Sequence, residues 1–178
     1  MSNNPSADPR TRGQERAQEL LTELGFRSLP IPVEKIAKAL GAQIRFSPLD
    51  QELSGMIYIK DGIPIIGVNS LHHPNRQRFT IAHELGHLAL HRDLITSTVH
   101  VDKKFPVLMR DSISATGTDV VEIEANNFAA ALLMPKNLLE EALQKVEFDI
   151  EDASPLDDLA KRFRVSRQTL EYRISSVR

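Results

Sequence analysis

The residues of this sequence best suited to chemistry are His83-Glu84-Leu85-Gly86-His87, two histidines four apart with a glutamate directly after the first. On an α-helix that spacing puts both imidazoles on one face, one turn apart, within reach of a single ion. Neutral imidazole is a good zinc ligand. Glu84, beside the first ligand, is then placed to take a proton from an attacking water as general base and pass it to a leaving amine. A zinc ion held there would lower the pKa of that water and polarise a scissile carbonyl. The competing reading is a helix with two unrelated histidines. With six histidines in the chain, a chance match is on the order of a per cent, and a helical context, a preceding strand pair and Gly86, which allows close packing, argue against it.

A catalytic zinc site needs a third protein ligand and one open position. The chain has no cysteine, so the ligand must be histidine or carboxylate. A metzincin would place a histidine six residues after His87, where Asp93 stands instead. The third ligand is therefore expected to be a carboxylate on another helix, Glu122 or Glu124. Glu122 is preferred because Asn126 falls four residues later on the same face, where it can hydrogen-bond a ligating histidine. Glu124 points about 160° away from Glu122 on an ideal helix, so both cannot serve one ion. The ordinary reading of either glutamate is a favourable acid near a helix N-terminus.

The remaining histidines divide by position. His91, four residues after His87, most simply closes the helix, where a cation is favoured; the alternative is a role behind the ligands or against substrate. His72 and His73 read as solvated loop residues. His100 and Tyr58 are the candidates for a transition-state donor.

The elements that must position these residues follow from periodicity. Ala17, Leu20, Leu21 and Leu24 give a helical face from Gly13 to Gly25, and Val33, Ile36, Ala37 and Leu40 another, started at Pro32 and ended by Gly41. Ala42 to Ser47 alternates as a strand. Residues 55–60 and 63–68 flank Asp61-Gly62, a hairpin signal, with Pro64 requiring one unpaired side. The spacing predicts an amphipathic helix over 74–91, with Ile81, Leu85 and Leu88 on its apolar side. Residues 93–118 show no steady period and read as a long loop of the kind that is either functional or mobile. A helix is predicted over 119–134 and another after Pro135. Near the end, Ser154-Pro155 and Ser166 start two short helices. The exposed edge of the hairpin is a candidate for binding an extended substrate by strand addition near Ile57.

The bulk properties fit this picture. The chain has 178 residues, 41% hydrophobic and 26% charged, with a net charge of -2. That describes an ordinary globular domain without general attraction to nucleic acid. No apolar run approaches the ~18 residues of a membrane span, and the N-terminus has no secretory pattern, so a cytoplasmic location without membrane partners is expected. Residues 1–12 read as disordered, 13–150 as the main domain, and 151–178 as a helical C-terminal element. That element is basic, with Arg164, Arg167 and Arg173 on or near its second helix. It supports a second reading, a DNA-binding regulator contacting phosphates, against the plainer one of a solvated helical pair. A third reading, a structural zinc in an interaction module, leaves Glu84 without a purpose.

The segments from Arg78 to His87, from Glu122 to Ala130 and Leu132-Leu133-Met134-Pro135, with Leu53-Ser54-Gly55 and the Leu159-Ala160…Phe163…Val165-Ser166 stretch, together resemble the ImmA/IrrE family of metallopeptidases. The resemblance implies an α+β zincin-like domain, with a small mostly antiparallel sheet packed on the HExxH helix. It implies His83, His87 and a helix-borne glutamate as ligands of Zn²⁺, or of Mn²⁺ as an activating substitute. It also implies an endopeptidase whose substrate or partner is a helix-turn-helix repressor encoded nearby, or a role as the toxin of a toxin-antitoxin pair.

Overall fold

The computed structural model describes residues 8–97, 100–102, 117–145 and 154–177. Its first helix, α1 (Pro9–Leu24), is capped by Asp8, whose side chain accepts from the Arg10 N–H at 3.1 Å, with Pro9 in the first turn. It ends at Gly25, where φ is +72° and a side chain would be strained. Residues 9–12, expected to be disordered on composition, are therefore helical. A polar Asp-Pro cap starts a helix without any apolar residue, so hydrophobic periodicity could not register it.

The α2 helix (Val33–Ala39) leads into a sheet of four strands in the order β1-β3-β2-β4. These are β1 (Gln43–Ser47), β2 (Gly55–Lys60), β3 (Ile63–Asn69) and β4 (His100–Asp102). The β2–β3 hairpin turns at Asp61 and Gly62, both at positive φ, as an Asp-Gly turn requires. β4 pairs antiparallel with β2, whereas β1 runs parallel to β3. Pro64 sits just before Ile65, where pairing with β1 begins, so its missing N–H breaks no bond.

The hairpin is not the sheet edge that the sequence suggests. β3 is covered by β1 along its length, and Gly55, Met56 and Ile57 of β2 are paired with β4. Strand addition at Ile57 is thus blocked by His100, its partner in register; the edges among the described residues are β1 and β4. The segment read as one long loop likewise contains a short helix, α4 (Arg92–Ser97), besides β4. Both are too short for a period of 3.6 or 2 to emerge from the sequence.

The α3 helix (Pro74–Leu90) starts at His73, whose Nδ1 accepts from the Asn75 N–H at 3.2 Å. His73 is thus a cap rather than a merely solvated residue. α3 contacts β2 and β3 together with α1, α2 and the α5 helix (Gly117–Leu133). Every residue from Arg78 to Leu88 is buried. This corrects the amphipathic expectation: the histidines of α3 face Glu122 and Asn126 of α5 rather than solvent, and Glu84 faces β2. Two glycines set the helix spacing. A Cβ on Gly86 would meet Ala125 Cα and the Phe128 ring at 3.1 Å, and a Cβ on Gly13 would collide with the backbone of Glu124 and Phe128. α1 and α3 therefore approach α5 more closely than any larger residue permits.

The core runs through these elements, with Leu20, Ile36, Ile66, Leu85, Phe128 and Leu132 fully buried. After α6 (Lys136–Gln144), the C-terminal helices α7 (Ser154–Phe163) and α8 (Arg167–Val177) join the same core through Phe163, Val165 and Leu170. Ser166 caps α8 by accepting from the Thr169 N–H at 3.1 Å. Tyr172 donates to Asn127 Oδ1 at 3.1 Å, and Arg173 donates through Nε to the Met134 carbonyl at 3.1 Å. Among the described residues, no helix is long and apolar enough to cross a membrane.

Candidate metal centre

Crossing α3 over α5 brings together three groups that lie far apart in the chain. His83 Nε2 lies 3.3 Å from Glu122 Oε2, His87 Nε2 lies 3.4 Å from Glu122 Oε1, and the two Nε2 atoms are 2.9 Å apart. Both histidines are buried, while the Glu122 side chain keeps 30% of its exposure. One side of the cluster is thus closed by protein and the carboxylate side reaches outward.

The hydrogen bonds behind the rings decide which ring nitrogens carry protons. His83 donates its Nδ1–H to Asn126 Oδ1 at 3.0 Å, which leaves a lone pair on Nε2. His91 donates Nε2–H to Glu124 Oε2 at 2.6 Å, so its Nδ1 is an acceptor. His87 then donates Nδ1–H to His91 Nδ1 at 3.2 Å, and its Nε2 also carries a lone pair. Two imidazole lone pairs and a carboxylate thus converge on one point, an arrangement that a cation would stabilise.

The spacing fits such an ion. Metal–nitrogen bonds of about 2.0–2.1 Å in a tetrahedron separate neighbouring ligand atoms by about 3.3 Å. The two histidine–glutamate separations match this value; the histidine pair is shorter by roughly 0.4 Å, within the reach of a small ring rotation. His83, His87 and Glu122 could therefore hold a metal ion, their ligand atoms all lying within 4.8 Å of one another.

Glu84 is fully buried on the same helix. β2 begins beside it, so that a Cβ on Gly55 would come within 3.3 Å of Glu84 Oε1. The carboxylate thus lies between the HExxH helix and the sheet, next to the strand that β4 extends. Tyr58 is half-buried on β2, and the side chain of His100 lies outside the described residues.

Glu124 takes no part in the cluster. Its carboxylate accepts from His91 and, at 3.0 Å, from Arg12 Nη1 on α1. Burial would raise its pKa, but the hydrogen bond from His91 and the charge of Arg12 more than offset this and hold it below the usual carboxylate range. His91 caps α3 as its position suggests, with its backbone N–H bonded to the His87 carbonyl, yet its ring also supports His87. Sequence reasoning missed the Glu124 and Arg12 contacts. The available signal was that His91 repeats the four-residue spacing of the motif while Glu124 faces away from Glu122.

The basic C-terminal helices form no comparable centre. Arg173 is buried, and loss of solvent pushes its guanidinium down to about 10. Arg167 bonds Glu171 at 2.8 Å and Asp157 at 3.5 Å, and Lys161 bonds Asp158 at 3.0 Å. Of the three arginines considered as phosphate contacts, only Arg164 is exposed without an ion pair to a carboxylate among the described residues.

A family profile for peptidases, described as the IrrE N-terminal-like domain, matches residues 37–175. The chain is 34% identical over 113 residues to the radiation response metalloprotease IrrE of Deinococcus radiodurans, and 34% identical over 112 residues to that of Deinococcus deserti. Each alignment covers 62% of this chain but only 30% and 36% of the relatives' own length. A transcriptional regulator of Mycobacterium tuberculosis shares the fold, with a TM-score of 0.61 and 24% identity, over 92% of this chain and 46% of that one.

Proposed function

This chain belongs to the family of peptidases described as the IrrE N-terminal-like domain, and on that premise we propose that it is a zinc-dependent endopeptidase. His83, His87 and Glu122 are its metal ligands and Glu84 its general base. The observation that carries this reading is the convergence of two imidazole lone pairs and one carboxylate, 2.9–3.4 Å apart, beside a buried glutamate. Two nitrogens and one oxygen, with no sulfur, suit Zn²⁺, and Mn²⁺ is accepted by the same donors. A structural site would fill all four positions with protein; among the described residues the cluster has three ligands, and its partly exposed Glu122 side leaves access for a substrate.

When bound, the ion polarises the scissile carbonyl and stabilises the negative charge that develops on its oxygen. Glu84 takes the proton of the attacking water and delivers it to the departing amine, so that one carboxylate serves as base and then as acid. Burial of Glu84 between α3 and β2 keeps bulk water from competing for that proton. Asn126 and His91 hold the two imidazoles at fixed angles, so the ligands need not reorganise during the reaction. The substrate strand would lie along β4, the short edge nearest Gly55 and Glu84, where backbone pairing can present an extended segment.

The substrate we propose is a helix-turn-helix transcription repressor encoded nearby, as the resemblance of the motif segments to ImmA/IrrE metallopeptidases suggests. The test is incubation of the purified protein and Zn²⁺ or Mn²⁺ with that repressor, beside Glu84→Gln. Cleavage at one peptide bond by the wild type alone is expected. Stoichiometric metal with an intact repressor would remove that substrate, and failure also on a mixed peptide library would remove the peptidase reading.

A further inference from the structure

His83 and His87 are supported differently. His83 leans on Asn126, one turn beyond Glu122 on the same helix. His87 leans on a chain of three groups that leaves the centre altogether: His91 at 3.2 Å, then Glu124 at 2.6 Å, then Arg12 at 3.0 Å. His91 and Glu124 are buried, whereas the Arg12 side chain is 42% exposed. Arg12 belongs to α1, which precedes the residues matched by the family profile, 37–175.

We propose that Arg12, Glu124 and His91 form a positioning relay that fixes the tautomer and angle of His87, with α1 as its outer anchor. The proposal rests on the metal-centre reading above. Its logic is directional. Arg12 can only donate and a carboxylate can only accept, so Glu124 must receive a proton from each side. His91 consequently presents Nε2–H to Glu124 and a lone pair to His87. His87 is left with Nδ1–H behind and a lone pair in front, as metal ligation requires. Gly13, which lets α1 touch the backbone of Glu124 and Phe128, holds Arg12 where it can play this part.

The relay has a signature that simple packing lacks. In Glu124→Gln the amide has one acceptor and one donor side. Arg12 claims the oxygen, so the NH₂ turns to His91 and forces its proton onto Nδ1, against the Nδ1–H of His87. His87 must then shift its proton to Nε2 or turn away, and the metal site loses a lone pair. Removing Arg12 as well frees the amide to rotate and offer its oxygen to His91. Arg12→Ala should therefore rescue Glu124→Gln, a coupling of opposite sign to additive damage.

The experiment measures Zn²⁺ affinity by chelator competition, and the visible spectrum of the Co²⁺-substituted protein, for the wild type and five variants of the whole chain, their folding checked by circular dichroism. Glu124→Gln should bind Zn²⁺ about tenfold to a hundredfold more weakly and shift the Co²⁺ bands. Arg12→Ala should lose about tenfold, the lower end of that range, and Arg12→Lys should stay near wild type. The double variant Arg12→Ala/Glu124→Gln should bind more tightly than Glu124→Gln alone. Gln14→Ala, which cuts a different α1 contact, to Asn127 at 3.4 Å, should lower Tm without moving the affinity or the spectrum. A wild type that binds no metal overturns the metal-centre reading and the relay with it. A wild type that binds, with Glu124→Gln and Arg12→Ala indistinguishable from it, overturns the relay alone; so does a double variant weaker than either single one. If Glu124→Gln does not fold, the partly exposed Arg12 decides the matter, an unchanged affinity and spectrum in Arg12→Ala counting against the relay.

Discussion

The α3–α5 crossing and the α7–α8 pair are both helix pairs with more polar chemistry than a core needs, and both suggest binding from the sequence. Their structures differ in where the polar groups are pointed. At the crossing, His83, His87 and Glu122 turn toward one another with their electron pairs facing inward, although like groups repel. In α7 and α8 several of the charges are already answered: Arg167 by Glu171 and Asp157, Lys161 by Asp158, Arg173 by the Met134 carbonyl. Three ligand atoms gathered at one point can hold a metal ion. A set of charges paired among themselves implies a packed surface.

The largest expected effect tests whether the crossing is a catalytic centre. Glu84→Gln keeps the shape of the side chain but removes its basicity, and should lower cleavage by about 10²- to 10⁴-fold with metal content unchanged by elemental analysis. Loss of metal instead would make Glu84 a structural member of the site. Next in size, Glu122→Ala should weaken Zn²⁺ binding beyond the roughly tenfold to hundredfold range of groups that only support a ligand. A loss within that range, read by the same chelator competition, would demote Glu122 to a support.

Much of the crossing could be read from the sequence because its information is local. The motif places His83, Glu84 and His87 by four-residue spacing, and the choice of Glu122 over Glu124 came from the angle between them and from Asn126 one turn later. The partners of Glu124 were not legible. Arg12 lies 112 residues away, and nothing in its neighbourhood marks it among the other basic residues of α1. The parallel pairing of β1 with β3 was hidden for a similar reason: alternation reveals a strand but not its direction. β4 was lost because three residues cannot establish a period. In the C-terminal pair, the count of positive charges was visible and their partners only partly so. Glu171 is four residues from Arg167 and could be paired by spacing, whereas the Met134 carbonyl that receives Arg173 could not.

Stability separates the regions further. Gly86→Val should cost about 1–3 kcal/mol as an overpacking change, since the added methyls meet Ala125 and Phe128, and it should weaken metal binding by pushing α3 from α5. Thermal melting with and without Zn²⁺ measures both. A lower Tm with unchanged affinity would mean that the ligands do not depend on the spacing of the crossing. Arg173→Ala should cost a similar amount, about 1.5–3 kcal/mol for a charged hydrogen bond, and leave Zn²⁺ affinity alone. Coupling of Arg173 to the metal site would contradict the independence of the two regions.

The smallest expected effect bears on the basic face itself. Arg162, Arg164 and Arg167 are exposed, and exposed ion pairs contribute only about 0–1 kcal/mol, so the triple alanine variant should melt within a degree or two of the wild type. Its informative readout is DNA. A helix pair that reads a duplex gains affinity by releasing counterions, with log K falling against log salt at a slope of about -0.9 per phosphate contact. Arg167 must give up Asp157 and Glu171 first, which cancels most of its gain and leaves Arg162 and Arg164 as at most two contacts. Retention of the wild type on a mixed-sequence duplex should therefore be weak at 50 mM salt, with a slope no steeper than about -1.8 for two contacts, and the triple variant should fall only slightly below it. A slope of about -2.7, three contacts' worth, that disappears with the three arginines would make the C-terminal pair a phosphate-binding surface, and its internal ion pairs a resting state that DNA displaces.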